Sequence, residues 1–484
     1  MPFIVKLAVD HLQLLLVGCI CFSAFYINLP VSVFYFATVV LAVHFFRNCD
    51  NKLEWFKKQK SILICAGAFS VFVIASLIWC EDFFTCLRPT VKLAAYVMAA
   101  TMFFLWLDFA RPSFCNRLGK DTTAFVYLFT GILVFVAVDT LLGFRLIKGI
   151  YQFFDAKRIP RTLYITYYRW SFAAAVLICP VVVLTYIRGK RLLAGFMLLT
   201  ACWALLHVDN DSAVLGCIVS TFVFLFGYLH FGFVSKFMKM GLLILAIIPL
   251  FYNNLVSPKW LHENVPLFRN TSYLHRIIIM YSCSDTVKSC FPFGNGVGAI
   301  MKERPQPAEK FCRDWLKMYS ASIWNVNGKN ISSHLFYGRA YAKGKNACYL
   351  IISRRPMFVE KNGDRTVFTY NRLGMEIETL FRVPVQPHNI IFELWTSLGV
   401  VGIAFYLVLY FWAINWIGNI RHRAFRACCL SSLMAATSIS LVNYSLVNSW
   451  WVYSFSVLGG IIYIMSKLDR VYPVSVISKA SKPL

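Results

Sequence analysis

Pro387-His388-Asn389-Ile390-Ile391-Phe392-Glu393, continuing through Leu398-Gly399-Val400-Val401-Gly402, is where a long polar stretch becomes an apolar run that ends near residue 416. A run of that length crosses a bilayer as a helix. Working outward from it, 59% of the 484 residues are hydrophobic and only 14% are charged. The apolar material falls into about twelve runs of span length, near 9–28, 31–46, 61–80, 89–109, 122–143, 170–187, 191–207, 212–233, 240–256, 389–416, 426–446 and 448–466. The fold class expected is an all-α polytopic membrane protein. The first run follows a single Lys and lacks a small-residue cleavage site, so it reads as a retained helix.

Basic loops alternate between the spans, and short cytoplasmic loops collect Lys and Arg. Arg47, Lys52, Lys57, Lys58 and Lys60 follow the second span, and Arg111, Arg117 and Lys120 the fourth. Arg188, Lys190 and Arg191 follow the sixth, Lys236 and Lys239 the eighth, and Arg421, Arg423 and Arg426 the tenth. Both termini are therefore expected in the cytoplasm, with the long segment 257–388 exported. The domain plan is spans one to nine over 1–256, an outer loop domain over 257–388, spans ten to twelve over 389–466, and a cytoplasmic tail over 467–484.

The outer loop carries about nineteen Lys and Arg against about nine Asp and Glu, a positive surface that points to an anionic partner such as a lipid head group or a pyrophosphate. Nucleic acid fits the charge, but the exported location argues against it. Thr271-Ser272 opens an amphipathic helix over Tyr273–Lys288 with Ile277, Met280 and Tyr281 on one face, Arg276 in its first turn, and Pro292 and Gly294 ending it. Gly294-Asn295-Gly296-Val297-Gly298 reads as a flexible turn whose backbone can approach a phosphate closely. Between 303 and 385, Ala308–Met318 looks helical, and Ala347–Ile352 and Thr366–Tyr370 look like short strands, which leaves an α+β insertion open. Of the sixteen cysteines, Cys283, Cys290, Cys312 and Cys348 lie in this loop, where an oxidising compartment permits one or two disulfides. Cys80 and Cys86 flank another outer loop and form a further candidate pair.

His388 sits where a histidine can exchange protons with water, at the entry of a helix whose N–H groups favour anions. An isolated histidine there is more often a cap or a lipid-phosphate contact. Asn389 caps the helix or orients the histidine. Glu393, one turn in, either tunes the site or is a paired structural carboxylate, because a lone charge inside a membrane is costly. Asp209 and Asp211 form an Asp-x-Asp spacing that can hold a divalent metal, although helix capping explains the pair more simply.

His388, Asn389, Gly399 and Gly402, together with Arg276, Pro292, Gly294, Gly296 and Gly298, resemble the two motifs of the O-antigen ligase and O-antigen polymerase superfamily of bacterial envelope glycosyltransferases. The likeness extends over most of the chain. Gln386, Phe392 and Ser397 stand where members often carry His, Leu and Glu, and Met280 replaces an aromatic. An Arg near the start of the eighth span is replaced by Asp209-Asn210-Asp211, and Arg158, Arg161 and Arg169 are the candidates to supply its charge.

The resemblance implies a GT-C-like bundle in a bacterial inner membrane, with a periplasmic active site and no metal or other cofactor. It implies inverting transfer of a glycan from undecaprenyl pyrophosphate to a lipid A core sugar. His388 would be the general base, Arg276 would stabilise the pyrophosphate, and Asn389, Glu393, Arg158, Arg161, Arg169, Gly294 and Gly296 would bind substrate. A polymerase, which extends carrier-linked repeats, shares the layout. So does an oligosaccharyltransferase, whose signature domain is not found. A transporter or flippase would be polytopic too, but it usually places ionisable residues near the bilayer midplane, whereas Asp108, Asp139, His207 and Glu393 fall near span ends.

Overall fold

The computed structural model describes residues 29–80, 83–109, 118–154, 159–208, 210–257, 260–261, 264–265, 272–297, 335–342, 345–352, 357–362, 365–370 and 389–442, with a few positions between 458 and 469. His388, Asp209, Arg158, Gly298, the expected first span and nearly all of the twelfth lie outside the described residues.

The helices are α1 Leu29–Asn48, α2 Lys52–Lys58, α3 Lys60–Ala75, α4 Phe83–Phe109, α5 Leu118–Leu141, α6 Arg145–Phe154, α7 Ile159–Ile187 and α8 Arg191–His207. They continue with α9 Asp211–Leu255, α10 Ser272–Ser289, α11 Ile390–Gly418 and α12 Arg423–Ser440. Two antiparallel hairpins fall within the insertion, β1 Leu335–Ala342 with β2 Lys345–Ile352 and β3 Met357–Asn362 with β4 Arg365–Tyr370. Their registers pair Leu335 with Ile352 and Met357 with Tyr370.

Among the described residues four helical segments are long and apolar enough to cross a membrane: Cys86–Trp106, Trp170–Ile187, Asp211–Leu255 and Ile390–Gly418. The count rises to five if α2 and α3, bent by 73°, act as one span, and Val126–Leu141 and Arg191–His207 are shorter apolar helices. The chain is a membrane protein. Phe222, Phe226, Leu229, Phe233 and Phe237 are exposed at helical spacing along α9, an apolar stripe that water would penalise and acyl chains would not.

The turn expected near Lys236 and Lys239 is not formed. The helical path of α9 is instead interrupted at His230, where φ is −133° and ψ is 55°, so α9 is two helical stretches that meet at a kink.

The described residues fall into two compact units, one from 1–74, 91–242 and 406–484, the other from 75–90 and 243–405. In the first, α12 is buried along nearly its whole length although it is rich in Ser, Thr, Ala and Cys. Small side chains let helix backbones approach closely, and their hydroxyls satisfy neighbouring polar groups. Ser432 Oγ donates to the Val176 carbonyl on α7 at 2.8 Å, and Ser220 Oγ meets Ser431 Oγ at 2.6 Å. Asn210 Nδ2 donates to Ser171 Oγ at 2.6 Å. Asn210 also caps α9 through its side chain and carbonyl, leaving Asp211 exposed in the first turn.

A Cβ placed on Gly216 would stand 2.7 Å from Ile439 Cγ1. Gly216→Val is therefore expected to overpack α9 against α12 and cost about 1–3 kcal/mol. The check is a lowered thermal unfolding midpoint in detergent; an unchanged midpoint would contradict this packing.

Candidate functional site

The elements that build the site all belong to the second unit. The buried positions Ile277, Cys283, Ser284, Val287 and Cys290 recur at three- and four-residue spacing along α10 and just past its end, which is one apolar face of a helix. Along α11 every residue from Ile390 to Leu398 is buried, so this half-helix is enclosed on all sides.

The two elements run in the same direction. Asn389 Nδ2 approaches Met280 Sδ at 3.7 Å, and Cys290 Sγ lies 4.0 Å from the Trp395 and Thr396 carbonyls. Between these points burial, followed by the nearby Glu393 carboxylate, pushes the Cys283 thiol up to about 12. Cys283 and Cys290 are thiols rather than disulfide partners. Seven residues apart on a helical path, they are separated by about 10 Å, beyond the reach of a bridge. Cys312 lies outside the described residues.

After Cys290 the chain turns back onto α11. Gly294 N–H donates to the Cys290 carbonyl at 2.9 Å, Asn295 N–H to the Thr396 carbonyl at 2.8 Å, and Gly296 N–H to the Ser397 carbonyl at 3.0 Å. In return Val400 N–H donates to the Pro292 carbonyl at 2.8 Å. The exchange takes place where α11 leaves helical geometry, at Gly399, with φ 60° and ψ −146°. The broken helix frees two carbonyls and one N–H in a protein interior, and the glycine loop satisfies all three. Irregular backbone at membrane depth persists only where protein supplies such partners.

Sterics explain the glycines. A Cβ on Gly399 would sit 1.8 Å from the Pro292 carbonyl oxygen, and one on Gly294, where φ is +77°, would sit 2.6 Å from Leu398 N. Gly294 and Gly296 were expected to approach a phosphate; their N–H groups are engaged with chain carbonyls, and the close approach is to α11 at Gly294 and to Ser76 and Cys80 at Gly296. On the far side of the loop lies the segment 75–90. Cys80 and Cys86 are joined by a disulfide, Thr90 Oγ1 donates to the Val297 carbonyl at 3.5 Å, and Trp79 packs on Phe293 with ring centroids 6.1 Å apart.

At the other end of the half-helix, Asn389 is the N-cap. Its Oδ1 accepts from Ile391 N–H at 2.9 Å and Phe392 N–H at 3.3 Å, and its carbonyl accepts from Glu393 N–H at 3.0 Å. Of the two roles open to Asn389, capping is the one with visible geometry. Glu393 is 4% exposed in the first turn, where the helix dipole favours a carboxylate. Trp395 Nε1 donates to the Ala246 carbonyl at 2.6 Å and Ser284 Oγ to the Pro249 carbonyl at 2.7 Å. These bonds close around the interruption that Pro249 makes in α9.

Arg276 is half-buried, one turn before Met280 on the same side of α10. The parallel register therefore carries it past the Asn389 cap, beyond the start of α11. Arg161 and Arg169 fall on α7, in the other unit. Ser284, Thr90 and Tyr252, whose ring meets Phe392 with centroids 5.3 Å apart, were not expected to build the site. Their only sequence signal was polarity or aromaticity on otherwise apolar faces.

No protein-family model matches the chain. It is similar to a Rickettsia prowazekii protein named "Putative polysaccharide ligase", 25% identical over 285 residues, which span 51% of this chain and 65% of that protein, just under two thirds. A Rickettsia felis protein of the same name is 21% identical over 78% of this chain and 75% of its own length. A Rickettsia typhi relative is 32% identical over 77 residues. Low in identity, these relatives agree with the resemblance to O-antigen ligase-like proteins.

If the cap and the break hold the half-helix, their loss should be measurable. Asn389→Ala is expected to cost about 1 kcal/mol, with Asn389→Asp close to neutral. Gly399→Ala is expected to cost more than either, because it combines a positive φ with a clash against backbone. Thermal unfolding of the three purified variants checks the order, and a Gly399→Ala midpoint at the wild-type value would contradict it.

Proposed function

We propose that the chain is a membrane glycan ligase that moves a glycan from undecaprenyl pyrophosphate to a sugar hydroxyl of lipid A core at the exported face. The observation that supports this reading is the parallel register of α10 and α11, fixed by Met280 on Asn389, which carries Arg276 beyond the start of α11. His388 is the residue immediately before Asn389. In this reading the Arg276 guanidinium and the His388 imidazole, from distant segments, meet at one mouth.

In the inverting reaction the acceptor hydroxyl oxygen attacks the anomeric carbon from the face opposite the carrier. The anomeric C–O bond breaks, its electron pair stays with the pyrophosphate oxygen, and the hydroxyl proton passes to His388. Arg276 meets the new negative charge with a planar fork that binds phosphate oxygens in pairs. Glu393 and the Asn389 cap hold the half-helix that presents this mouth. Arg158, Arg161 and Arg169 are the cations assigned to the substrate's remaining charge. Transfer is metal-independent and proceeds in the presence of a chelator.

The relatives' names favour a ligase over a polymerase, and the single large loop before His388 agrees. In cells lacking the native gene, His388→Ala and Arg276→Ala are each expected to abolish attachment. Envelope glycolipid gels should then show bare lipid A core while carrier-linked polymer accumulates. Core bearing a single repeat would indicate a polymerase, and a normal ladder from both variants would remove the site. With the wild-type enzyme, kcat/KM should fall as pH drops below about 6.5, since the base must be neutral. A profile flat down to pH 5 would exclude His388 as base.

A further inference from the structure

The ten-residue helix α6 follows α5 after the turn at Gly143 and Phe144, both with φ 64°. Its start is held by Asp139, which is fully buried and accepts from Leu146 N–H at 2.7 Å, Ile147 N–H at 3.3 Å and Tyr167 Oη at 2.5 Å. That anchorage fixes the rotation of α6 about its own axis.

Ile147 is fully buried and marks the side facing the protein. At about 100° per residue, Leu146 and Ile150 lie roughly 80° to one side of it, and Arg145, Lys148 and Gln152 roughly 100° to 160° to the other. All five are exposed. The helix thus presents three faces: one against the protein, one apolar and open, and one basic and nearly opposite the open apolar face.

The open apolar face continues existing surface. Val138, Leu141 and Leu142, at the end of the apolar helix Val126–Leu141, are 41%, 64% and 44% exposed, and Leu146 and Ile150 extend that band around the turn. A band that begins on a membrane helix and bends onto a short amphipathic helix with cations on its opposite face has the form of an interfacial segment. Lysine and arginine beside such a band complement lipid phosphates.

We propose that α6 lies along the bilayer surface, with Leu146 and Ile150 set into the acyl boundary and Arg145 and Lys148 among anionic head groups. The partner is the lipid leaflet at the end of α5. This anchor is independent of the transfer chemistry. It also ties the start of α7 to a fixed depth.

The full-length protein is reconstituted in vesicles of phosphatidylcholine and phosphatidylglycerol carrying a phospholipid with a diazirine near the top of its acyl chain. After illumination the adducts are mapped by mass spectrometry. Adducts are expected on Leu146 and Ile150 as well as on Leu141. Leu146→Lys with Ile150→Lys should lose the adducts on α6 while Leu141 keeps its own, which also reports that the variant is folded. With the diazirine moved to phosphatidylglycerol, Arg145→Glu with Lys148→Glu should reduce labelling of α6, and an unchanged level would overturn the head-group contact. Labelled Leu141 with an unlabelled α6 would overturn the proposal.

Discussion

A helix that breaks inside an apolar environment leaves backbone groups that water cannot reach, and everything at the candidate site depends on how this chain meets that demand. Breaking α11 at Gly399 frees the Thr396 and Ser397 carbonyls and the Val400 N–H. Backbone from 292–296 takes all three. Each such group left without a partner in a protein interior would cost about 1–3 kcal/mol. The loop and the break are therefore mutually required, and neither has a reason to hold its shape alone.

From that constraint the rest of the second unit is built. The loop is the continuation of α10, so locking it to the break fixes the register of α10 along the half-helix. Register fixes Met280 against the Asn389 cap, and Met280 fixes Arg276 one turn beyond. On the outer side of the loop, Gly296 lies against Ser76 and Cys80, and Thr90 Oγ1 reaches the Val297 carbonyl at 3.5 Å. This scaffold is made of backbone bonds, which side-chain substitution disturbs little unless it adds a Cβ at a glycine.

Much of the helical layout was legible because hydropathy is a local property. The run at 191–207 is α8 residue for residue, and 389–416 differs from α11 by a residue or two at its ends. What escaped has a physical pattern. The helix α6 is too short and too evenly divided between apolar and basic faces to stand out in a span-length average, although its 3.6-residue period is present in the sequence. The break in α9 was placed at Lys236 and Lys239 rather than at His230 because charge was taken as a loop signal, and lysines can lie on a helix with their stems along apolar surface. The glycines were recognised as positions of close approach, but sequence does not say what approaches. At Gly294 and Gly399 the partner proved to be backbone about a hundred residues away, and a backbone-to-backbone contact leaves no side-chain pattern to read. Cys80 and Cys86 could be paired because six residues separate them. Cys283 and Cys290 follow one helical path about 10 Å apart, so they do not bridge each other.

The most direct measurement is amide hydrogen exchange of the full-length protein in lipid nanodiscs, monitored on peptides covering 293–297. A surface turn of glycine and asparagine exchanges within seconds, whereas N–H groups bonded into the break of α11 should exchange as slowly as those of the helix 404–414. Protection of Asn295 and Gly296 at that level is the result this account predicts. Complete exchange of both within seconds would contradict it.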